Sequence, residues 1–110
     1  MLRMLHYEAY ITLQEGRVDV QFEWDEAKAR SNISKHGVTF TEATTIFAEP
    51  FLLTFLDDYA EYEDRFISIG ESEQRRLLLV VHVDRNATIR LISARRATRK
   101  ERDTYEHHHR

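Results

Sequence analysis

RLLLVVHV, Arg76–Val83, is the most apolar run in the chain, and its reading decides the fold. It is eight residues long, apolar on both alternating faces, and followed at once by turn chemistry in Asp84-Arg85-Asn86-Ala87. That combination predicts a central, buried strand. Working outward, the period stays strand-like in FLLTFL (Phe51–Leu56), RFISI (Arg65–Ile69) and TIRLISA (Thr88–Ala94). The connections are short: the acidic loop DDYAEYED (Asp57–Asp64) and a turn at Gly70–Gln74. Short connections predict an antiparallel meander. Upstream, the period is helical. Asp25 is an N-cap, the helix runs through Ala27, Lys28, Asn32 and Ile33, and Gly37 ends it. Thr41 opens a second short helix, with Ala43, Ile46 and Phe47 on one face and Pro50 at its end. Downstream, Thr98-Arg99-Lys100-Glu101 is a capping box for a C-terminal helix carrying Tyr105. RVDVQFEW (Arg17–Trp24) alternates like a strand, and YEAYITL (Tyr7–Leu13) is a candidate extra strand. A turn at Gln14-Glu15-Gly16 would close the two into a hairpin. The expected architecture is α+β: an antiparallel β-sheet, two N-terminal helices and a C-terminal helix. Residues 1–21 read as an extension and 22–110 as one domain.

Composition narrows the function classes. The 110 residues include no Cys, which excludes a disulfide framework, a thiolate zinc site and a cysteine nucleophile, and fits a cytoplasmic setting. No window approaches ~18 consecutive apolar residues, so no membrane association is expected. His6 and Glu8 break the N-terminus as a signal peptide. There is no Gly-rich phosphate loop and no HExxH spacing, so neither a cofactor nor a metal is expected. The net charge of −3 hides an asymmetry: residues 1–64 carry −8 and residues 65–110 carry +5. Ten of the eleven cations in the second part are Arg, whose planar fork suits phosphates.

Alternation along Arg76–Val83 sets Arg76, Leu78, Val80 and His82 on one face and Leu77, Leu79, Val81 and Val83 on the other. The second set is the purer apolar face and is expected to meet the helices. His82 would then face the open side. One register would bring Arg65, His82 and Arg95 to a common edge of the sheet. A histidine flanked by arginines suits metal-free RNA cleavage. The attacking 2′-hydroxyl loses a proton, the leaving 5′-oxygen gains one, and arginines stabilise the charge on the phosphorane. The plainer alternative is a structural histidine at a strand end, with the arginines paired to the acidic loop. Lys35-His36-Gly37 offers a second base and cation, or simply a helix end whose cations suit the dipole. His107-His108-His109 resembles a metal tract, but consecutive residues of a helix point in different directions. Trp24 and the tyrosines read as core and interface residues rather than as base-stacking platforms.

Several ordered pieces together resemble the BrnT family: WDEAK at Trp24, KHGV at Lys35, RFISIG at Arg65, LLLVV at Leu77, IRLISARRA at Ile89 and RKERDTYE at Arg99. The resemblance spans Phe22 to Glu106. It implies the toxin half of a bacterial type II toxin–antitoxin pair, with a RelE-like ribonuclease fold that cleaves RNA and blocks translation. It implies neutralisation by a BrnA antitoxin, a ribbon-helix-helix DNA-binding protein through which the complex would reach operator DNA. Arg65, Arg95, Glu101, Tyr105, Lys35 and His36 match the family's pattern, whereas His82 stands where many members carry Tyr. The candidate catalytic residues are therefore Arg65, His82, Arg95, Lys35 and His36. The rival function is a non-enzymatic partner-binding module that acts as co-repressor, and the acidic loop favours it.

Overall fold

A computed structural model describes residues 4–13, 16–61 and 63–108. Gln14 and Glu15 of the expected turn, and His109 of the histidine tract, lie outside the described residues. The order is β1 (Met4–Leu13), β2 (Gly16–Asp25), α1 (Glu26–His36), α2 (Phe40–Thr44), a 3₁₀ turn (Thr45–Ala48), β3 (Leu53–Leu56), β4 (Phe66–Glu71), β5 (Leu77–Arg85), β6 (Thr88–Arg96) and α3 (Arg99–His108). The strands form one sheet in the order β1-β2-β6-β5-β4-β3. None of the described helices is long and apolar enough to cross a membrane.

Local chemistry sets the helix ends. The Asp25 carboxylate accepts from the Ala27 and Lys28 amides at 2.7 and 3.2 Å, and Gly37 closes α1 in the left-handed region with φ 67°. Thr39 caps α2 by accepting from the Glu42 amide at 3.0 Å. Thr98 and Glu101 form the expected capping box: the Thr98 amide donates to Glu101 at 2.8 Å, and the Glu101 amide donates to the Thr98 hydroxyl at 3.2 Å.

The meander is antiparallel from β3 to β6, but the sheet as a whole is mixed, which corrects the antiparallel expectation. β2 lies parallel to β6, with Gln21 opposite Thr88 and Glu23 opposite Arg90. A parallel pair requires a long crossover. Here α1 and α2 carry the chain from β2 over the sheet to its far edge at β3, and the meander returns to β2 running in the same direction.

The face that α1 and α2 cover is also the reverse of the expected one, and α3 packs on the other. Leu78 and Val80 are fully buried in the main core, with Phe22, Trp24, Phe40, Ala43, Ile46, Phe47, Leu91 and Ala94. Leu77 and Leu79 line a smaller cluster on the opposite face, where Ile69, Ala97 and Tyr105 of α3 complete it. The polar residues at the two ends of the first face do not prevent its burial, because each has a partner within the chain: Arg76 has Glu42, and His82 has Ser68 and Asp84. Gly70 lies under the 3₁₀ turn, where a Cβ would approach Leu52, Glu49 and Ile46 to 3.0–3.2 Å. Trp24 stacks edge-on against Phe40 at 5.9 Å and belongs to the core.

Strand alternation in β6 is broken once. Val81 pairs with Ser93, but His82 pairs with Leu91, so Ile92 is an extra residue. Ile89 and Leu91 therefore face α1 and α2, whereas Ser93 and Arg95 face α3. The sequence alternation had put all four on one face.

Candidate active site

His82 is 1% exposed, with its ring between Phe47, edge-on at 5.0 Å, and Phe66, stacked at 5.9 Å. Its Nε2 meets the Ser68 hydroxyl at 2.7 Å and its Nδ1 meets Asp84 Oδ1 at 2.5 Å, while Ser68 also meets the Thr54 hydroxyl at 2.7 Å. Ser68, His82 and Asp84 reproduce the connectivity of a nucleophilic triad. Ser68 is completely buried and shared with Thr54, so no substrate atom can approach its oxygen. The row Thr54–Ser68–His82–Asp84 instead ties β3, β4 and β5 together.

The expected grouping of Arg65, His82 and Arg95 does not form. Arg95 lies opposite Leu79, on the α3 face, whereas His82 lies on the other face. Arg65 directly precedes Phe66, which pairs with His82, so it is level with Val83. The two arginines are thus separated by about 13 Å along the strands and two strand spacings, about 10 Å, across them. Each has an acidic partner. Arg65 Nε lies 3.8 Å from Glu63. Arg95 grips both oxygens of Glu101 at 2.7 and 2.8 Å. The Arg95 fork, aided by the Thr98 amide, holds the Glu101 carboxyl at a pKa of about 2. Arg95 therefore locks the start of α3 to β6. Tyr105, on the same helix, donates to Glu49 at 2.9 Å, and burial pushes its phenol well above the usual range.

Lys35 and His36 are placed differently. Asn32, buried beneath α1, donates to the carbonyls of Ala94 and Val38 at 2.7 and 2.9 Å and accepts from the Ala94 amide at 3.0 Å. These bonds fix the last turn of α1 over the end of β6. Lys35 and His36 emerge there, exposed, and their side chains have no hydrogen-bond partner among the described residues. The Gly37 carbonyl accepts from Arg76 at 3.3 Å, which brings the arginine at the start of β5 to the same place. Arg76 also pairs with Glu42 through both Nε and Nη2, and Ser72 donates to the same carboxylate at 2.7 Å. Glu42 is 5% exposed, and its carboxyl is held below the usual range chiefly by Arg76. Exposed Arg96, on the last residue of β6, is close enough to add to that effect. One end of the sheet thus carries Arg76 and Arg96 beside the buried Glu42 carboxylate, with exposed Lys35 and His36 on the helix end whose Gly37 carbonyl Arg76 holds.

Sequence reasoning missed Glu42, Asn32 and Ser68. A polar residue among apolar helix positions, such as Asn32 near Ala29, was the available signal for the first two. Ser68 gave none. No three metal-ligating side chains converge among the described residues.

A family model described as "Ribonuclease toxin, BrnT, of type II toxin-antitoxin system" matches residues 24–101. The chain belongs to the BrnT family. BrnT members are, by that description, ribonuclease toxins, and type II systems pair a toxin with an antitoxin. The crystal structure of the Brucella abortus ribonuclease toxin BrnT superposes with a TM-score of 0.54 at 25% identity, over 69% of this chain and 94% of that one. No curated protein matches the chain. β1 and most of β2 lie outside the BrnT match.

Proposed function

We propose that this BrnT-family chain is a metal-independent endoribonuclease of the RelE-like kind. It would cleave RNA in the bacterial cytoplasm, inhibit translation and be neutralised by a BrnA-like ribbon-helix-helix antitoxin, which alone would bring the complex to operator DNA. The observation that carries this reading is the position of exposed Lys35 and His36 at the end of α1, whose Gly37 carbonyl accepts from Arg76, at the end of the sheet that also carries Arg96. In this reading His36 takes the proton of the 2′-hydroxyl as that oxygen attacks phosphorus. The 5′-oxygen leaves, taking a proton from a solvent water, and a 2′,3′-cyclic phosphate forms. Histidine suits this step because it exchanges protons near neutral pH. Lys35, Arg96 and the outer edge of Arg76 face the charge that builds on the phosphorane oxygens. Arg65 and Arg95, engaged by carboxylates, hold structure in this reading. His82 stands apart from the chemistry.

The test is cleavage of a mixed-sequence RNA in EDTA, with the product ends identified. Wild type should give cyclic phosphates. His36→Gln should slow cleavage by about 10²–10⁴-fold, and Arg96→Ala should slow it with the melting temperature unchanged. Equal rates in wild type and His36→Gln would remove His36 from the mechanism. The acidic surface at Asp57–Asp64 favours the rival, a partner-binding co-repressor without chemistry, which predicts no cleavage by any variant.

A further inference from the structure

β3 is the outermost strand of the sheet, and its far side has no neighbouring strand among the described residues. The Asp57 amide donates to the Arg65 carbonyl at 2.7 Å, so Asp57 and Arg65 form a hydrogen-bonded pair. Alternation then aims the backbone N–H and C=O of Thr54 and Leu56 away from β4, at the open edge. Natural edge strands are commonly blunted by shortness, charge, proline or a bulge. β3 is short, at four residues, but Leu-Thr-Phe-Leu carries no charge or proline and pairs with β4 without a register shift. It exposes Phe55 (41%) and Leu56 (48%), one on each face of the sheet.

The chain beyond this edge is strongly acidic. Asp57, Asp58, Glu61, Glu63 and Asp64 precede a single cation, Arg65. An open cavity of about 500 Å³ lies in this loop, lined by Asp57, Tyr59, Ala60, Glu61, Glu63 and Arg65. We infer that the β3 edge and this cavity together dock an extended segment of the antitoxin, which adds a strand beside Thr54 and Leu56, covers Phe55 and Leu56, and sets Lys or Arg side chains into the acidic loop. Main-chain bonds supply affinity in such strand addition, and side-chain pockets supply selectivity. RNA does not suit the site, because its phosphates would meet carboxylates. A second copy does not suit it either. Antiparallel pairing of two β3 strands would set each acidic loop beside the other's Glu49–Leu52, which holds no cation.

The inference rests on the toxin–antitoxin reading and is independent of His36. It is tested with the protein encoded by the reading frame adjacent to this one, by titration calorimetry and amide exchange. Phe55→Asp/Leu56→Asp and, separately, Asp58→Lys/Glu61→Lys should each weaken the complex at least tenfold while RNA cleavage by the free variants stays at the wild-type rate. The Asp58/Glu61 pair is exposed and keeps the test valid if the apolar variant fails to fold. The Thr54 and Leu56 amides should gain protection on binding. Affinity within twofold of wild type in the Asp58/Glu61 variant, or those amides left unprotected, overturns the inference while the partner reading stands. Protection of the same amides by RNA, or in the free protein through self-association, overturns it as well. No complex at all defeats the partner reading and the inference with it.

Discussion

The two ends of the sheet carry the same residue types in opposite arrangements. Where β5 begins, two carboxylates are locked in place, Glu42 by Arg76 and Ser72 and Glu101 by Arg95 and Thr98, while Glu71 and Glu73 lie exposed at the turn. The histidine there, His36, is in solvent with Lys35 beside it. Where β5 ends, the histidine is buried and both its nitrogens are bonded, while the carboxylates of the Asp57–Asp64 loop are outside. The proposed function draws on the groups left over after the fold has satisfied its own polar atoms: exposed Lys35, His36 and Arg96 at one end, and carboxylates beside a bare strand edge at the other.

The largest test of that contrast exchanges the two histidines' fates. His36→Gln should lose activity and keep stability. His82→Ala should do the reverse. It removes a ring packed between Phe47 and Phe66 and leaves Ser68 and Asp84 short of a partner, at a cost of about 3 kcal/mol. Chemical denaturation measures the loss, and cleavage per folded molecule should match wild type. A His82→Ala protein that stays stable yet fails to cleave would invert the assignment.

A smaller effect is expected at Glu42. Glu42→Gln leaves the part-buried Arg76 guanidinium without its counter-charge and should cost about 2 kcal/mol. Because Arg76 also donates to the Gly37 carbonyl, the substitution should loosen the end of α1 as well, and amide exchange at Gly37 reports that directly.

Much of the fold was legible because local chemistry decided it. Asp25, Gly37 and the Thr98–Glu101 box each act through bonds within a few residues, and each ends a helix where the sequence placed the end. The parallel pairing of β2 with β6 was not legible, since Gln21 and Thr88 are joined only through the whole crossover. Nor was the bulge at Ile92, which has no glycine or proline to mark it and yet moves Leu91 and Arg95 to opposite faces. That one residue is why strand alternation misplaced the arginine. His82 was misread for a different reason. The choice of buried face depended on whether polar side chains would find partners, and Ser68 lies on another strand. The KHG segment was legible as a helix end, because a helix C-terminus is fixed locally.

Arg95 and Glu101 sharpen the contrast by a smaller amount. Both oxygens of Glu101 are engaged, but Arg95 is about a third exposed, so solvent screens the pair and Arg95→Ala should cost only about 1 kcal/mol. The pH dependence is more diagnostic. Glu101 titrates near 4.5 when unfolded and at about 2 when folded. A depressed folded pKa contributes stability that is complete above about 4.5 and is lost as pH falls toward 2. The lowered pKa of Glu42 acts in the same direction. Melting temperature should therefore fall through this window in wild type, and the fall should be shallower in Arg95→Ala. An unchanged acid limb would mean that Arg95 does not hold Glu101 in solution.

The smallest effect belongs to Gly37, and it isolates backbone from side chain. A Cβ at this position would meet nothing within 4 Å, so substitution costs only what the left-handed φ of 67° imposes. Gly37→Ala should lose about 1 kcal/mol, as non-glycine residues do there. Asparagine tolerates the same region better, so Gly37→Asn should lose less than Gly37→Ala. The Gly37 carbonyl keeps its place opposite Arg76 in both variants, so Lys35 and His36 should keep theirs. Cleavage by Gly37→Asn should then stay within about threefold of wild type. A large loss of activity in Gly37→Asn, with the melting temperature little changed, would show that the loop backbone itself contacts the RNA and that the catalytic end extends past His36.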